Sequence, residues 1–369
     1  MSIEGEIKSG EASEFGVSAK CKYPTQFGIP HLVARDIYQI CVPLPNNALR
    51  VLNCYVVMEQ PRPLVIDTGF DMPECYDALT QGLNALGLSW DEVDIFFTHG
   101  HPDHCGLVNR VGHENTTFYA GFSSFHELHR AYYAEIRGFR AWMSGGCEIL
   151  PEGCLHPVLT AEEDQNVRDA AYDYGDMDEV AIPISDVELC VLKDGDTFQR
   201  GSRKFQVIGC TGHSPNHICL YDPADKTLIC GDQMLAKITP VIASFALGEN
   251  LLQNYLLSIE KLAQFDISTA LTGHRALLQN VPARAKELAE HHEQRSREIL
   301  LAMNAEAANL VDITKSVTWR NPIPNWDDWP IKQKFFSLGE TLVHITFLES
   351  KGLVSHELTQ GSVIFRQTY

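Results

Sequence analysis

The chain has 369 residues, of which 44% are hydrophobic and 21% charged, and this composition is typical of a globular protein with a sizeable core. Lysine and arginine number 29 against 48 aspartates and glutamates, so the formal net charge is −19. Because binding to nucleic acid needs clustered cations, this balance argues against a polyanionic partner.

The first sixteen residues, MSIEGEIKSGEASEFG, are polar, and no run of about eighteen apolar residues occurs anywhere. We therefore expect neither a signal peptide nor a membrane span, and we predict a cytoplasmic protein without a membrane partner. The eleven cysteines form no C-x-x-C pair and are odd in number. This favours reduced thiols, most of them small buried side chains.

Residues 1–22 are expected to form a flexible tail, after which short strands follow one another. Three runs rich in β-branched and aromatic residues predict these strands: ARDIYQICVPLP, LRVLNCYVVME and PLVIDTG. A helix is predicted for MPECYDALTQGLNALGL, and a buried strand for VDIFFTH. The histidine-rich segment THGHPDHCG begins where this last strand ends, which is where α/β proteins place ligands.

Residues 115–185 differ in character and are predicted to be an insertion, partly a lid. An aromatic helix is indicated by SSFHELHRAYYAEIRGFRAWMSGG, and an acidic segment follows it. The side chains of Tyr132, Tyr133 and Trp142 either line a substrate pocket or pack the insertion onto the body of the protein.

Strands are predicted again after residue 185, and helices after residue 250. The strand-like runs are VELCVLKDGDTFQ, KFQVIGCTGHSPNHICLYDP and KTLICGDQML, and the helical ones are NLLQNYLLSIEKLAQF and VPARAKELAEHHEQRSREILLAMNA. The second helix is so charged that His291 and His292 are expected to face solvent. Residues 301–369 predict a helical region followed by a hairpin, an arrangement similar to a winged helix. Its basic and acidic residues are balanced from residue 311 onward, which favours packing or a homodimer over DNA binding.

A histidine or an aspartate also follows the end of three later strands. Residues at strand ends emerge at one edge of a sheet, so positions far apart in the chain can converge there. The candidates share the imidazole and carboxylate chemistry that binds zinc-type ions: His99, His101, Asp103, His104, His213, Asp232 and His274. Seven ligands are too many for one tetrahedral ion and suit two. Side chains two apart in an extended segment point the same way, so His99 and His101 can reach one ion, while Asp103 and His104 reach the other.

This order of ligands resembles that of the metallo-β-lactamase-fold hydrolases. The family's H-x-H-x-D-H motif is matched by residues 99–104, its later histidine by His213, its bridging aspartate by Asp232 and its last histidine by His274. The strand-and-turn segment LVIDTG is also similar to that of the family.

The resemblance spans roughly residues 35–300, within a catalytic domain that we predict at 23–300. It implies an α/β (α+β) chain folded as a four-layer αββα sandwich, with the metals at one edge of two sheets. The implied ligand sets are His99, His101 and His213 for one divalent ion and Asp103, His104 and His274 for the other, with Asp232 bridging. Zinc is the expected metal, with iron or manganese as alternatives.

The resemblance further implies a hydrolase in which a hydroxide shared by two metal ions attacks a carbonyl group. Asp103 would orient that hydroxide or deliver a proton to the leaving group. By elimination we expect a small acyl compound as substrate, a thioester or a lactone. Two alternatives stay open: a mononuclear iron oxygenase of the sulfur dioxygenase type, using His99, His213 and Asp232, and a ligand-binding regulator on the same fold.

Three further polar residues of these segments are not among the candidate ligands. Asp67 is expected to be structural, holding a turn or the N–H of a ligand histidine. Cys105 is expected to be a small buried residue rather than a thiolate ligand. His217 is either a contact of the site or an ordinary strand histidine.

Overall fold

The computed structural model describes residues 26–144, 182–303, 308–359 and 362–368. The predicted tail at 1–22 lies outside these ranges, and so do residues 145–181, which make up most of the predicted insertion. The strands are β1 (Pro30–Ala34), β2 (Ile37–Pro43), β3 (Val51–Val57), β4 (Leu64–Ile66), β5 (Asp94–Phe96), β6 (Phe118–Ala120), β7 (Leu189–Val191), β8 (Thr197–Arg200), β9 (Arg203–Gly209), β10 (Ile218–Asp222), β11 (Thr227–Gly231), β12 (Thr269–Thr272), β13 (Val354–Thr359) and β14 (Ser362–Gln367). The helices are α1 (Pro73–Ala85), α2 (Pro102–Cys105), α3 (Val108–Val111), α4 (Phe125–Met143), α5 (Leu251–Leu262), α6 (Val281–Met303), α7 (Leu310–Ser316) and α8 (Ile331–Ser350).

Two large sheets form the body of the protein. Strands β1 to β7 follow one another in a sheet that is antiparallel as far as β4 and parallel from β4 to β7. The second sheet has the order β12-β11-β10-β9-β8, and β12 runs parallel to β11 whereas the other pairs are antiparallel. Strand β6 lies inside the range 115–185, so this range contributes a strand to the first sheet.

The two sheets face each other across an apolar core. Phe96 and Ile66 of the first sheet are fully or almost fully buried against Phe205 and Leu220 of the second. Burying each such side chain contributes roughly 1.5–3 kcal/mol. Strand β9 alternates buried and exposed residues along its first half, as expected for a strand with one face in this core.

Helices cover the outer faces of both sheets. Helix α1 packs on the first sheet through Leu79 and Leu83. Helices α5 and α6 pack on the second through residues such as Ile259 and Leu288. The four layers of the αββα sandwich are therefore present, and the predicted fold class is confirmed.

A further core joins α4 to the C-terminal part of the chain. It contains Phe139 of α4, Ile299 of α6, Leu342 of α8 and Phe365 of the β13–β14 hairpin, each at most 1% exposed. The helices and the hairpin predicted from the sequence are thus formed. No helix in the described ranges is long and apolar enough to cross a membrane.

The prediction that His292 faces solvent is wrong. The residue is 2% exposed, its Nδ1 atom lies 3.2 Å from Nε2 of His344, and its ring packs edge-on against Tyr255. The cause is that α6 is covered by both α5 and α8, so that its charged residues occupy only part of its surface. Among the cysteines of the described ranges all are free thiols, and all but Cys190 are buried, as predicted.

Candidate metal centre

The predicted ligands lie at one edge of the two sheets, in the loops that follow their strands. Residues 99–104 come after β5 of the first sheet. His213 lies between β9 and β10, Asp232 directly follows β11, and His274 follows β12, all in the second sheet. The site is therefore assembled from both sheets.

The seven side chains are close enough to form two sets of ligands. In each set the donor atoms lie within 4.8 Å of one another. We call them the three-histidine group, made of His99, His101 and His213, and the carboxylate group, made of Asp103, His104 and His274. His99, His104 and Asp232 form a third combination that links the two groups.

Asp232 lies between the two groups. Its Oδ2 atom is 3.8 Å from Nε2 of His213 and 3.3 Å from Nε2 of His274. Its Oδ1 atom is 3.6 Å from Nε2 of His104. Asp103, in contrast, lies next to a histidine of its own group, with Oδ2 at 3.3 Å from Nε2 of His274. One carboxylate thus has an oxygen near a member of each group, as a bridging ligand requires.

Protein oxygens on the far side fix the orientation of three of the imidazole rings. Each ring pairs its Nδ1 atom with an acceptor at 2.7 Å, which assigns a hydrogen to Nδ1 and leaves Nε2 facing the centre. The acceptors are Asp67 Oδ2 for His104, the Val241 carbonyl for His213 and the Val51 carbonyl for His274. His99 directs Nε2 towards Nδ1 of His101, 2.9 Å away.

Within the described ranges, four of the atoms that face the centre are buried and have no hydrogen-bond partner: Nε2 of His104, His213 and His274, and Oδ1 of Asp232. An unsatisfied buried polar atom costs about 1–3 kcal/mol, so four such atoms at one point need a common explanation. Divalent metal ions take imidazole nitrogen and carboxylate oxygen as ligands. The donor set therefore fits metal ions.

Asp67 links the two groups on the Nδ1 side of their histidines, away from the centre. It adopts the left-handed conformation with φ of 58°. Its Oδ1 accepts the backbone N–H of Thr98, and its Oδ2 accepts from the Thr98 hydroxyl and from His104. The same hydroxyl oxygen lies 3.0 Å from Nδ1 of His99. The structural role predicted for Asp67 is confirmed, and it extends to one histidine of each group.

The two groups differ in their electrostatics. Burial, followed by the neighbouring histidines, holds the pKa of His99 well below its ordinary value and lowers the pKa of His101 to about 3. Burial also opposes charge on His274, but nearby carboxylates, Asp232 foremost, outweigh it and raise the pKa to about 10. Carboxylates likewise raise the pKa of His104 well above its usual range. Without metal, the three-histidine group is neutral and the carboxylate group holds protons.

Several neighbours of the site behave as the sequence allowed. His217 is 1% exposed and stacks on His99, with ring centroids 4.8 Å apart, so it is a contact of the site. Cys105 is fully buried, and its thiol donates to the carbonyl of His101 at 3.3 Å. Trp142, considered for the wall of a pocket, is 2% exposed and stacks on Phe365. Of the two alternatives for Trp142, packing onto the body holds.

The backbone carbonyls that accept hydrogen bonds from the candidate histidines were not predicted from the sequence. Val51 and Val241 orient ligand histidines through carbonyl groups, which every residue possesses. Thr98, whose hydroxyl contacts Asp67 and His99, was not predicted either, although a hydroxyl residue next to the first histidine was visible in the sequence.

The sequence matches the protein family model described as "Metallo-beta-lactamase superfamily" over residues 49–115 and 156–274, together half of the chain. A "Probable metallo-hydrolase YqjP" from Bacillus subtilis is 21% identical, and the alignment covers 91% of this chain and 99% of that protein. An "Atrochrysone carboxyl ACP thioesterase" from Emericella nidulans is 23% identical over 79% of this chain and 73% of its own length.

Two solved structures have the same fold. A beta-lactamase domain protein from Burkholderia ambifaria superposes with a TM-score of 0.74 at 22% identity, over 94% of this chain and 95% of that one. A metallo-beta-lactamase family protein from Thermus thermophilus gives a TM-score of 0.69 at 23% identity, over 90% of this chain and 99% of that one.

Proposed function

Because the chain belongs to the metallo-beta-lactamase superfamily, we propose that it is a dinuclear metal-dependent hydrolase that cleaves a small acyl compound, a thioester or a lactone. Its family and its relatives identify the hydrolase class. The number of ions, the metal and the substrate are our proposal.

The observation that carries the proposal is the presence of two complete ligand groups with one carboxylate between them. Each ion would be held by three residues of its own group and would share Asp232, and imidazole and carboxylate donors of this kind are also the ligands of catalytic zinc. A site for a single iron would leave the carboxylate group without a role, although Nε2 of His104 and of His274 is buried with no hydrogen-bond partner among the described residues. Nitrogen and oxygen donors suit zinc best, and manganese or iron also accept them.

Two divalent ions bound here would act as Lewis acids and would activate water at neutral pH. The chain supplies orientation and proton handling. Asp103 is 9% exposed, and burial, which raises its pKa, is outweighed by His104, so that the pKa is lowered to about 2. An ionised carboxylate accepts hydrogen bonds, so Oδ2 of Asp103 is the atom that we assign to orienting the attacking hydroxide. The hydroxide adds to the acyl carbon, the bond to the leaving group breaks, and the leaving group takes up the proton that the new carboxylic acid releases.

Two observations support an acyl substrate. The fungal relative is named as an acyl carrier protein thioesterase, which favours a thioester over other acyl compounds. The net charge of −19 disfavours nucleic acids and other polyanions. A thiolate is also a better leaving group than an alkoxide, so a thioester makes a smaller demand on the proton donor.

The test is a hydrolysis assay of the zinc-loaded protein on matched aromatic and aliphatic thioesters and lactones, with a phosphodiester as the unrelated substrate class. We expect thioester or lactone hydrolysis, and a loss of about 10²–10⁴-fold in kcat in Asp103→Asn. Asp77→Asn, which changes an exposed aspartate on α1, is the matched control and should retain the parent rate. Full activity in Asp103→Asn, or hydrolysis of the phosphodiester alone, would contradict the proposal.

A further inference from the structure

Helix α4 contacts, at two separate points, the loops that hold the three-histidine group. One lies beside the loop that carries His99 and His101, and the other lies beside the loop that orients His213. The same helix also packs on the C-terminal part of the chain through Phe139 and Trp142. It is therefore placed to influence one half of the metal centre from outside.

The first contact is made by Leu128, in the first half of α4. A Cβ atom on Gly100 would overlap the Leu128 side chain, with Cδ2 at 2.8 Å, so the helix touches the loop backbone directly. Gly100 stands between His99 and His101. Any shift of α4 at this point thus moves the backbone between these two ligands.

The second contact is made through the Val241 loop, defined as residues 236–250. The Val241 carbonyl accepts the Nδ1 hydrogen of His213 at 2.7 Å. Four residues further on, the backbone N–H of Phe245 donates to Oε2 of Glu135 at 2.8 Å, and Nε1 of Trp142 donates to the Phe245 carbonyl at 3.0 Å. A hydrogen bond to a carboxylate is among the stronger kinds, so α4 holds this loop at both polar atoms of one peptide residue.

The Phe245 ring reinforces the same attachment. It is 2% exposed and packs edge-on against Phe139 of α4, with ring centroids 5.5 Å apart, and against Phe335 of α8 at 4.7 Å. The loop is thus fixed on its apolar side as well.

The carboxylate group is oriented from elsewhere. His104 pairs with Asp67, which directly follows β4, and His274 pairs with the carbonyl of Val51, the first residue of β3. Both acceptors belong to the first sheet rather than to α4 or to the Val241 loop.

We propose that α4 is a positioning element for the three-histidine group alone, and that Glu135 and Trp142 set the affinity of this group for its ion by holding the Val241 loop. The inference rests on the proposed two-metal function. It gives selective control over one of two metal positions to a helix outside the ligand motifs and to two residues that are not candidate ligands.

The test is a titration of the metal-free protein with Co²⁺ alone, followed by visible absorption and calorimetry. The variants His213→Ala and His274→Ala assign the two spectra to the two positions. In Glu135→Ala and Trp142→Phe we expect the affinity of the three-histidine position to fall about 10–100-fold, the usual effect of removing a residue that orients a ligand. The affinity of the carboxylate position should remain within about threefold of the parent, because its orienting partners are intact.

Two further variants separate positioning from general loosening of the helix. Glu135→Gln keeps an oxygen that can accept the Phe245 N–H, so it should restore most of the affinity. Ile136→Ala removes a buried side chain from α4 but keeps the hydrogen bonds of Glu135 and Trp142 to the Val241 loop, so it is the matched control. If Glu135→Ala does not fold, Trp142→Phe, which keeps an aromatic ring, decides the question.

The proposal is overturned if both positions keep the parent affinity in the Glu135 and Trp142 variants, if both weaken equally, or if Ile136→Ala gives the same selective loss. A parent that binds two Co²⁺ ions in any of these cases leaves the proposed function standing. A parent that binds no Co²⁺ would overturn the proposed function and this inference together.

Discussion

The histidines of the centre have their donor atoms set before any metal binds. Nδ1 of His104, His213 and His274 is paired with a protein oxygen at 2.7 Å, so only Nε2 is available to an ion. These Nε2 atoms are buried and have no hydrogen-bond partner in the part of the chain that the structure describes, which is costly in the metal-free protein. The centre is therefore organised for an ion at the expense of metal-free stability.

Asp67 is the residue whose change tests this organisation most simply. In Asp67→Asn an NH₂ group replaces one of the two carboxylate oxygens. A donor must then face either the Thr98 N–H or the His104 Nδ1–H. We expect zinc affinity to fall about 10–100-fold, measured by competition with a chromophoric chelator. Thr98→Ser retains the hydroxyl and is the control; equal affinity in Asp67→Asn and the parent would refute the assigned role.

Metal uptake should release protons from the carboxylate group. Against the effect of burial, the nearby carboxylates raise the pKa of His274 to about 10, so this residue holds its second proton at pH 8 when metal is absent, and they favour the second proton of His104 in the same way. An ion that binds Nε2 must displace these protons, so affinity should rise with pH between 6 and 9. Calorimetry in buffers of different ionisation enthalpy should detect up to two released protons per chain, and a buffer-independent heat would be the contrary result.

At the scale of the elements, the sequence predicted what depends on local pattern. The apolar run before His99 predicted β5, and the aromatic periodicity predicted α4, because burial and helical spacing are visible in the residues themselves. The seven candidate ligands could be named because imidazole and carboxylate groups followed strand ends. The roles of Val51 and Val241 could not be foreseen, since a carbonyl acceptor carries no side-chain signal.

The error at His292 has the same origin. A charged helix predicts an exposed face, but it does not reveal that α6 is covered by α5 and α8 together. Long-range packing of this kind is decided by the tertiary fold, as is the contact between α4 and the Val241 loop.

The buried His292–His344 pair makes the α6–α8 contact sensitive to acid. Burial is the main cause that lowers the pKa of His292 to about 2 and that of His344 to about 3. As pH falls through 6.5, these histidines therefore take up protons in the unfolded chain before they do so in the folded one. The contribution to the free energy of unfolding that is present above pH 6.5 is lost towards pH 3, by roughly 1.4 kcal/mol per pH unit for each histidine.

Chemical denaturation between pH 7 and 4.5 measures this dependence. The double variant His292→Gln and His344→Gln should take up as many as two fewer protons on unfolding than the parent, so its free energy of unfolding falls less steeply with pH. His113→Gln, which changes an exposed histidine, is the control. Parallel curves for the double variant and the parent would show that the pair does not contribute.

At the scale of the whole molecule, the two sheets meet at the metal centre. The first sheet provides residues 99–104, and the second provides His213, Asp232 and His274. Helix α4 and the C-terminal helices pack around the same edge through Phe245. The family fold accounts for the layers, while the outer helices hold the loop that orients one of the ligands.

The count of metal ions per chain tests the central claim most directly. The protein is loaded with zinc, freed of excess metal by gel filtration and analysed for all transition elements, next to His213→Ala and His274→Ala. We expect two zinc ions in the parent and one in each variant. A single ion in the parent, or one iron accompanied by oxygen consumption, would contradict it.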